Sequence, residues 1–295
     1  MPTITLDDVD LYYEEYGSGD EVVLASANGF SGWAYPELLA DEPTNYRVIT
    51  IQTRGFGKSS HLSEAPAIGW LAQWADDVCA VADALGIDTF IYTGASHGGG
   101  IGWYIAQRNP DRLKAFVSVV GTPHDRAGGT DSSEGRRRMI EGRHDPKIVR
   151  EQIEILGGFS DDPVRLAERE ISYANRVTEH MNRSEDVAWI NQGKPFPEAQ
   201  TDEELEAILS GIRVPVLILA SMRDGVISPE SSLRGAKFVR GAKAVLFEDE
   251  GHFISSESPE RLAREVKLYV DELNGTALPR RPRRPASSTG GAFTE

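Results

Sequence analysis

The sequence predicts an α/β fold, a mostly parallel, doubly wound, eight-stranded sheet that begins with an antiparallel hairpin. Three observations carry this. Short β-branched and apolar runs alternate with helical periodicities over most of the chain. The first two runs alternate apolar and polar residues, as half-buried antiparallel strands do. One helix-patterned, highly charged stretch interrupts the alternation between the sixth and seventh runs.

Taken in order, Thr3–Leu6 and Val9–Tyr16 read as the hairpin, and Gly17-Ser-Gly-Asp20 as a turn. Val22–Ala27 is a short apolar strand and Trp33–Leu39 a short helix. Arg47–Gln52 is the next strand, followed by the glycine-rich loop Thr53–Ser60. Trp70–Leu85 is an amphipathic helix that stops before Gly86. Thr89–Thr93 is β-branched and aromatic, as a buried strand should be, and Ile101–Ala106 is a buried helix closing at Asn109-Pro110. Leu113–Val120 is the sixth strand. From Thr122 to Ile212 helical patterns and mixed charge run without a clear strand. Val214–Ala220 resumes the sheet, Ser231–Val239 is helical, Ala244–Phe247 is the last strand, and Pro259–Leu273 is a helix opened by proline. Residues 1–121 and 213–275 are therefore expected to form the core. Residues 122–212 form a helical cap inserted between strands 6 and 7, over the strand ends where such sheets bind ligands. Residues 276–295, rich in Pro, Arg, Ser and Gly, are expected to be a disordered tail.

Composition narrows the function. A hydrophobic content of 40% fills a core for a 295-residue chain, and a net charge of −15 argues against nucleic acid or a polyanionic membrane surface as partner. The single cysteine, Cys79, excludes an internal disulfide and falls in an apolar helical pattern, where a buried structural thiol is expected. No basic-then-apolar leader opens the sequence, and no run reaches the ~20 apolar residues of a membrane span. A cytoplasmic protein is expected.

The most informative stretch is Gly94-Ala95-Ser96-His97-Gly98, lying between a strand and a helix. A sharp strand-to-helix turn strains the backbone and crowds its flanks, so small neighbours are needed. It would hold the Ser96 hydroxyl up at the sheet edge, beside a helix N-terminus that favours negative charge. A serine hydroxyl needs a base, and the base an orienter. Asp224, after the Val216–Ala220 run, and His252, in the loop Glu248–Phe253, are the candidates, each just past the end of a different strand. Asp125, after the Leu113–Val120 strand, is a rival acid. His97 matters first for its backbone, and its side chain faces either the pocket or the insertion. His124, His144 and His180 lack metal-ligand spacing and read as ordinary polar residues. Arg136-Arg-Arg138 reads as a solvated helix face in preference to a carboxylate clamp, and the Arg54–Ser60 loop lacks the spacing of a phosphate cradle. Phe159, Tyr173, Trp189 and Phe196 could line an apolar pocket or pack within the insertion.

In order, Asn28-Gly29-Phe30, Arg54-Gly-Phe-Gly-Lys-Ser59, Gly94-Ala-Ser-His-Gly98 and the Asp224 and His252 loops resemble the α/β-hydrolase fold family over about residues 3–274. The branch it looks like contains esterases, lactonases and peroxidase-like enzymes with a helical lid. The resemblance implies that Ser96 is a nucleophile, that His252 is general base and then acid, and that Asp224 fixes the imidazole tautomer. It also implies an oxyanion hole from the backbone N–H groups of Phe30 and His97, substrate contacts from Asn28, Gly29 and Trp189, and no cofactor or metal. Asn28 stands where the family usually has histidine, and Gln52 where it usually has aspartate. The implied activity is hydrolysis of a small-molecule ester or lactone. C–C bond hydrolysis or cofactor-free oxygenation of an aromatic ring is an alternative, and so is a hydrolase-like small-molecule receptor.

Overall fold

The computed structural model describes residues 2–6, 9–27 and 34–276. Asn28, Gly29, Phe30, Trp33 and, but for Thr276, the expected tail lie outside the described residues. Eight strands form one sheet: β1 (Thr3–Thr5), β2 (Asp10–Tyr16), β3 (Val22–Ala27), β4 (Arg47–Gln52), β5 (Phe90–Ala95), β6 (Leu113–Val119), β7 (Val216–Ser221) and β8 (Lys243–Phe247). Their order is β1-β2-β4-β3-β5-β6-β7-β8. The β1–β2 and β2–β4 pairs are antiparallel, and every later pair is parallel. The central strands read as continuous apolar runs because helices cover both of their faces; all six residues of β7 are buried.

The order reverses between β3 and β5, so the crevice at the carboxyl ends of these strands is the topological switch point. Helices α1 (Ala34–Leu38), α2 (Trp70–Ala84) and α3 (His97–Arg108) belong to this first half. Among the described residues, five helices then separate β6 from β7: α4 (Glu134–Glu141), α5 (Pro146–Gly157), α6 (Pro163–Met181), α7 (Glu185–Ala188) and α8 (Asp202–Gly211). Helices α9 (Pro229–Phe238), α10 (Ile254–Glu257) and α11 (Pro259–Leu273) are the remaining helices among the described residues. One core cluster packs α2, α3 and α8 on one face of the sheet, and the other packs α1 and α11 on the opposite face. Cys79 is buried in the first, which pushes its thiol up to about 11 and keeps it inert as a thiolate. No helix among the described residues is long and apolar enough to cross a membrane.

The glycine-rich loop after β4 is held in place by buried polar contacts. Arg54 and Asp77, both almost wholly buried, form a two-bond pair at 2.8 and 2.6 Å, and the Trp74 indole N–H donates to the Arg54 carbonyl. Gln52 accepts the Lys58 N–H at 2.7 Å and so closes the loop with an amide.

Candidate active site

Ser96 follows β5 and caps α3 with φ 55° and ψ −113°, a left-handed conformation that a serine adopts only under constraint. The constraint is local. A Cβ on Gly94 would lie 2.2 Å from the carbonyl carbon of Gly98, so only glycine lets strand and helix meet this closely. The Ser96 N–H donates to Val119 O on β6, which fixes the turn to the sheet.

The other two residues come from the last two strands. The Asp224 carboxylate follows β7, and its Oδ1 accepts the backbone N–H groups of Val226 and Ile227 at 2.8 and 2.9 Å. Its Oδ2 accepts from His252 Nδ1 at 2.8 Å, with both side chains almost fully buried. A carboxylate only accepts, so this bond places the imidazole proton on Nδ1 and leaves Nε2 with a lone pair. Ser96 Oγ lies 2.9 Å from Nε2, positioned to donate to it. An unbroken hydrogen-bonded line therefore runs from a hydroxyl through an imidazole to a buried carboxylate. It can draw the proton from Ser96 as the oxygen attacks a carbonyl carbon. The rival acid is elsewhere: Asp125 Oδ1 accepts the Ala127 N–H and closes its own loop.

The insertion holds the two loops in place. His252 N–H donates to Leu156 O, at the end of α5. A Cβ on Gly225 would lie 2.0 Å from Ile155 O, and one on Gly251 would lie 1.9 Å from Gly157 O. Backbone thus meets backbone beside both Asp224 and His252. From α6, Arg165 and Arg169 reach Glu257, and Arg165 also pairs with the fully buried Glu250, two residues before His252. The Arg176 guanidinium stacks 3.9 Å over the Phe253 ring.

Ser96 and His252 open onto a cavity of about 500 Å³ between the strand ends and the insertion. Its remaining walls include His97, His124, Gln152, Gln192, Arg136 and Lys194. His97 begins α3 and hydrogen-bonds Gln192 of the insertion, so its side chain both faces the cavity and ties the insertion down. Burial, with Arg136 nearby, holds its imidazole well below the usual histidine range. Burial, with Lys194 adding to it, pushes His124 down to about 4. Both rings are therefore neutral at pH 7 and serve as hydrogen-bonding walls.

The expectations meet this geometry differently. Ser96, Asp224 and His252 are brought together. Phe30, Asn28 and Gly29 lie outside the described residues, so of the two expected oxyanion donors only His97 falls among the described residues, at the start of α3. Trp189 does not line the cavity, contrary to its expected substrate contact: its indole packs edge-on to Trp70 at 5.5 Å, against the core. Phe196 and Tyr173 are likewise spent on packing, against Tyr104 and Phe253. Arg136 and His124, expected at the surface and as an ordinary polar residue, both line the cavity; Arg138 lines its exposed rim, and Arg137 is exposed outside it. Sequence could have found both. Arg136 lies three residues from buried Met139, on one helix face, and His124 follows β6 at the strand-end edge.

Residues 22–259 match the profile of the alpha/beta hydrolase fold. A relative in Caulobacter vibrioides, named "Putative carbamate hydrolase RutD", is 37% identical over 92% of this chain and 99% of its own length. Among solved structures, a thermophilic esterase from Thermogutta terrifontis covers 92% of this chain and 99% of its own, with a TM-score of 0.72 at 21% identity. A meta-cleavage product hydrolase from Pseudomonas fluorescens IP01 covers 92% and 98%, with a TM-score of 0.72 at 22% identity. With the sheet order, the strand-to-helix serine turn and a profile match over most of its length, this chain belongs to the α/β-hydrolase fold family.

Proposed function

We propose that this protein is a serine hydrolase of carboxylic esters or lactones, working through an acyl-enzyme. Ser96 attacks the carbonyl carbon while His252 Nε2 takes its proton. The tetrahedral oxyanion sits against the first turn of α3, where the His97 N–H and the positive end of the helix favour negative charge. Phe30 is assigned the second donor. Collapse expels the alcohol, protonated by His252, and leaves Ser96 acylated. His252 then takes a proton from water, which attacks the acyl carbon and frees Ser96. Asp224 holds the tautomer throughout and stabilises the imidazolium that forms. The insertion 122–212 acts as a lid that keeps bulk water from the acyl carbon.

The carrying observation is the pair of hydrogen bonds at 2.9 and 2.8 Å that links Ser96, His252 and Asp224 at the wall of one cavity. A carbamate is the second reading, favoured by the name of the relative at 37% identity; it needs the same attack on a carbonyl, with an amine or alcohol leaving. The test is hydrolysis of 4-nitrophenyl esters from C2 to C12 and of an aryl carbamate, by wild type and by Ser96→Ala. Ester turnover that is lost in Ser96→Ala supports the reading. Turnover that survives Ser96→Ala overturns it, and turnover of the carbamate alone selects the second reading.

A further inference from the structure

One buried carboxylate outside the cavity joins four parts of the fold. Glu250 lies between β8 and α10, two residues before His252, and its side chain is wholly buried. Its Oε1 accepts from Ser258 Oγ and from Arg261 Nη1, both at 2.7 Å, and Arg261 belongs to α11 of the core. Its Oε2 accepts from Arg165 Nη2 on α6 of the insertion, the one donor to that oxygen among the described residues. Its backbone carbonyl accepts the N–H of Arg223, the residue before Asp224, at 3.0 Å.

The two carboxylate oxygens are thus divided, one bound to the core and the other to the insertion. Other arginines of α6 reach the same short stretch: Arg169 donates to Glu257 at 3.0 and 3.1 Å, and Arg176 donates to Ser256 Oγ at 2.7 Å. Removing one partner of a buried ion pair leaves a charge that neither protein nor water satisfies, which is costly. If α6 moved away, Oε2 would lose its donor, and Glu250 could recover one only by turning toward water. That turn would carry Gly251 and His252 with it and pull on the residue before Asp224. His252 tolerates little movement. Its Nε2 lies 2.9 Å from Ser96 Oγ and its Nδ1 2.8 Å from Asp224 Oδ2, and both bonds weaken steeply with distance and angle.

Resting on the serine-hydrolase reading, we propose that Glu250 is a positioning residue for His252, and that Arg165 makes this positioning conditional on the docked insertion. The base is aligned with Ser96 only while α6 is seated on the histidine loop. A substrate enclosed under the insertion then meets an assembled base, and one that enters beside a displaced insertion does not. Stability alone is a poor reason for such a pair, because apolar packing of the same volume fixes a helix at least as well as a buried ion pair does. What the pair adds is direction: it ties one chosen point of the loop to one chosen point of α6.

The test measures kcat and KM for 4-nitrophenyl acetate in Arg165→Met, in Glu250→Gln and in the double variant. Glu250→Gln keeps the shape, leaves no buried charge and can no longer pair with a guanidinium on both sides, so it guards against misfolding of the methionine variant. Each single variant should lose about tenfold to a hundredfold in kcat, with KM within about twofold, because neither side chain lines the cavity. The double variant should lose no more than the worse single one, since both break one contact. Arg150→Met, which removes the pairs with Glu154 and Glu170 inside the insertion, should stay within about twofold of wild type. A second readout needs no turnover. The Nδ1 proton of His252, bonded to Asp224, should give a downfield proton NMR resonance that is lost in His252→Gln. It should be sharp in wild type and in Arg150→Met, and broadened or absent in Arg165→Met and in Glu250→Gln. Unchanged kcat in both single variants, additive losses in the double variant, or an Arg150→Met variant as slow as Arg165→Met overturns the proposal. So does a resonance that is missing from wild type or unmoved in both single variants. If wild type turns over no ester but the resonance behaves as stated, the hydrolase reading falls and the positioning of His252 by Glu250 stands.

Discussion

Replacing Asp224 by asparagine should cost about 10⁴ in kcat, or about 5 kcal/mol of barrier, while leaving the fold intact. The argument starts from where the two carboxylate oxygens point. Oδ1 accepts two backbone N–H groups, from Val226 and Ile227, at 2.8 and 2.9 Å. Oδ2 accepts from His252 Nδ1 at 2.8 Å. An asparagine must therefore keep its oxygen at the Oδ1 position, because turning it over would set an NH₂ against two buried donors, each worth about 1–3 kcal/mol when left unsatisfied. Its NH₂ then faces Nδ1, which can only accept. The imidazole proton moves to Nε2, and the hydrogen bond to Ser96 reverses, with the ring now donating to Oγ. A ring that donates to the nucleophile cannot serve as its base. The assay is kcat for 4-nitrophenyl acetate at pH 7.5, with thermal unfolding as the control for folding. Asp224→Ala is the informative companion. It removes the tautomer lock, so its kcat should equal or exceed that of the asparagine variant, although alanine is the larger chemical change. A loss of less than tenfold in Asp224→Asn with unfolding unchanged would refute the reasoning, and so would an alanine variant markedly slower than the asparagine one.

Two further outcomes follow from packing and burial. Gly102→Ala places a methyl carbon 2.1 Å from the buried Phe116 ring, which already packs edge-on to Trp103 at 5.0 Å; overpacking there should destabilise the protein by at least about 1–3 kcal/mol, read as a lowered denaturation midpoint at unchanged slope. The buried histidines set a pH window. His124 has its folded value depressed to about 4 from an ordinary 6.5, so between these values the unfolded chain binds more protons than the folded one. Its contribution is fully present above pH 6.5 and is lost as pH falls toward 4, the loss reaching about 2 kcal/mol by pH 5. His180, depressed to about 4 mainly by burial, acts in the same direction. Urea unfolding should therefore show a lower free energy at pH 5 than at pH 7, and an unchanged or higher value would sink the assignment of neutral rings.

The sheet and the three side chains that meet at the candidate site, Ser96, Asp224 and His252, were legible because their signals are local. Thr89–Thr93 announces a strand by its β-branched and aromatic run, the glycines around Ser96 announce a turn that nothing else fits, and Asp224 and His252 each follow an apolar strand within a few residues. The cavity wall was less legible because it depends on where distant segments land. Trp189 is aromatic and lies in the insertion, yet its place is set by Trp70, more than a hundred residues earlier in the chain, and no nearby residue foretells that contact. Arg136 sits in a run of three arginines on a strongly polar helix whose single buried residue is Met139. Charge alone suggests a wet face; only the three-residue spacing to Met139 marks which arginine turns inward.

The seam between α5 and the Asp224 and His252 loops bears on how such proteins can be recombined. Gly225 and Gly251 allow carbonyls of Ile155 and Gly157 to approach where any side chain would collide, and His252 N–H is bonded to Leu156 O. The true module boundary therefore does not fall at the ends of the insertion. The tip of α5 and the aspartate and histidine loops form one packed unit. A chimera that imports a foreign insertion at the β6 and β7 junctions would break this unit even with Ser96, Asp224 and His252 retained. One that keeps 155–158 native and exchanges the segments around it would preserve it.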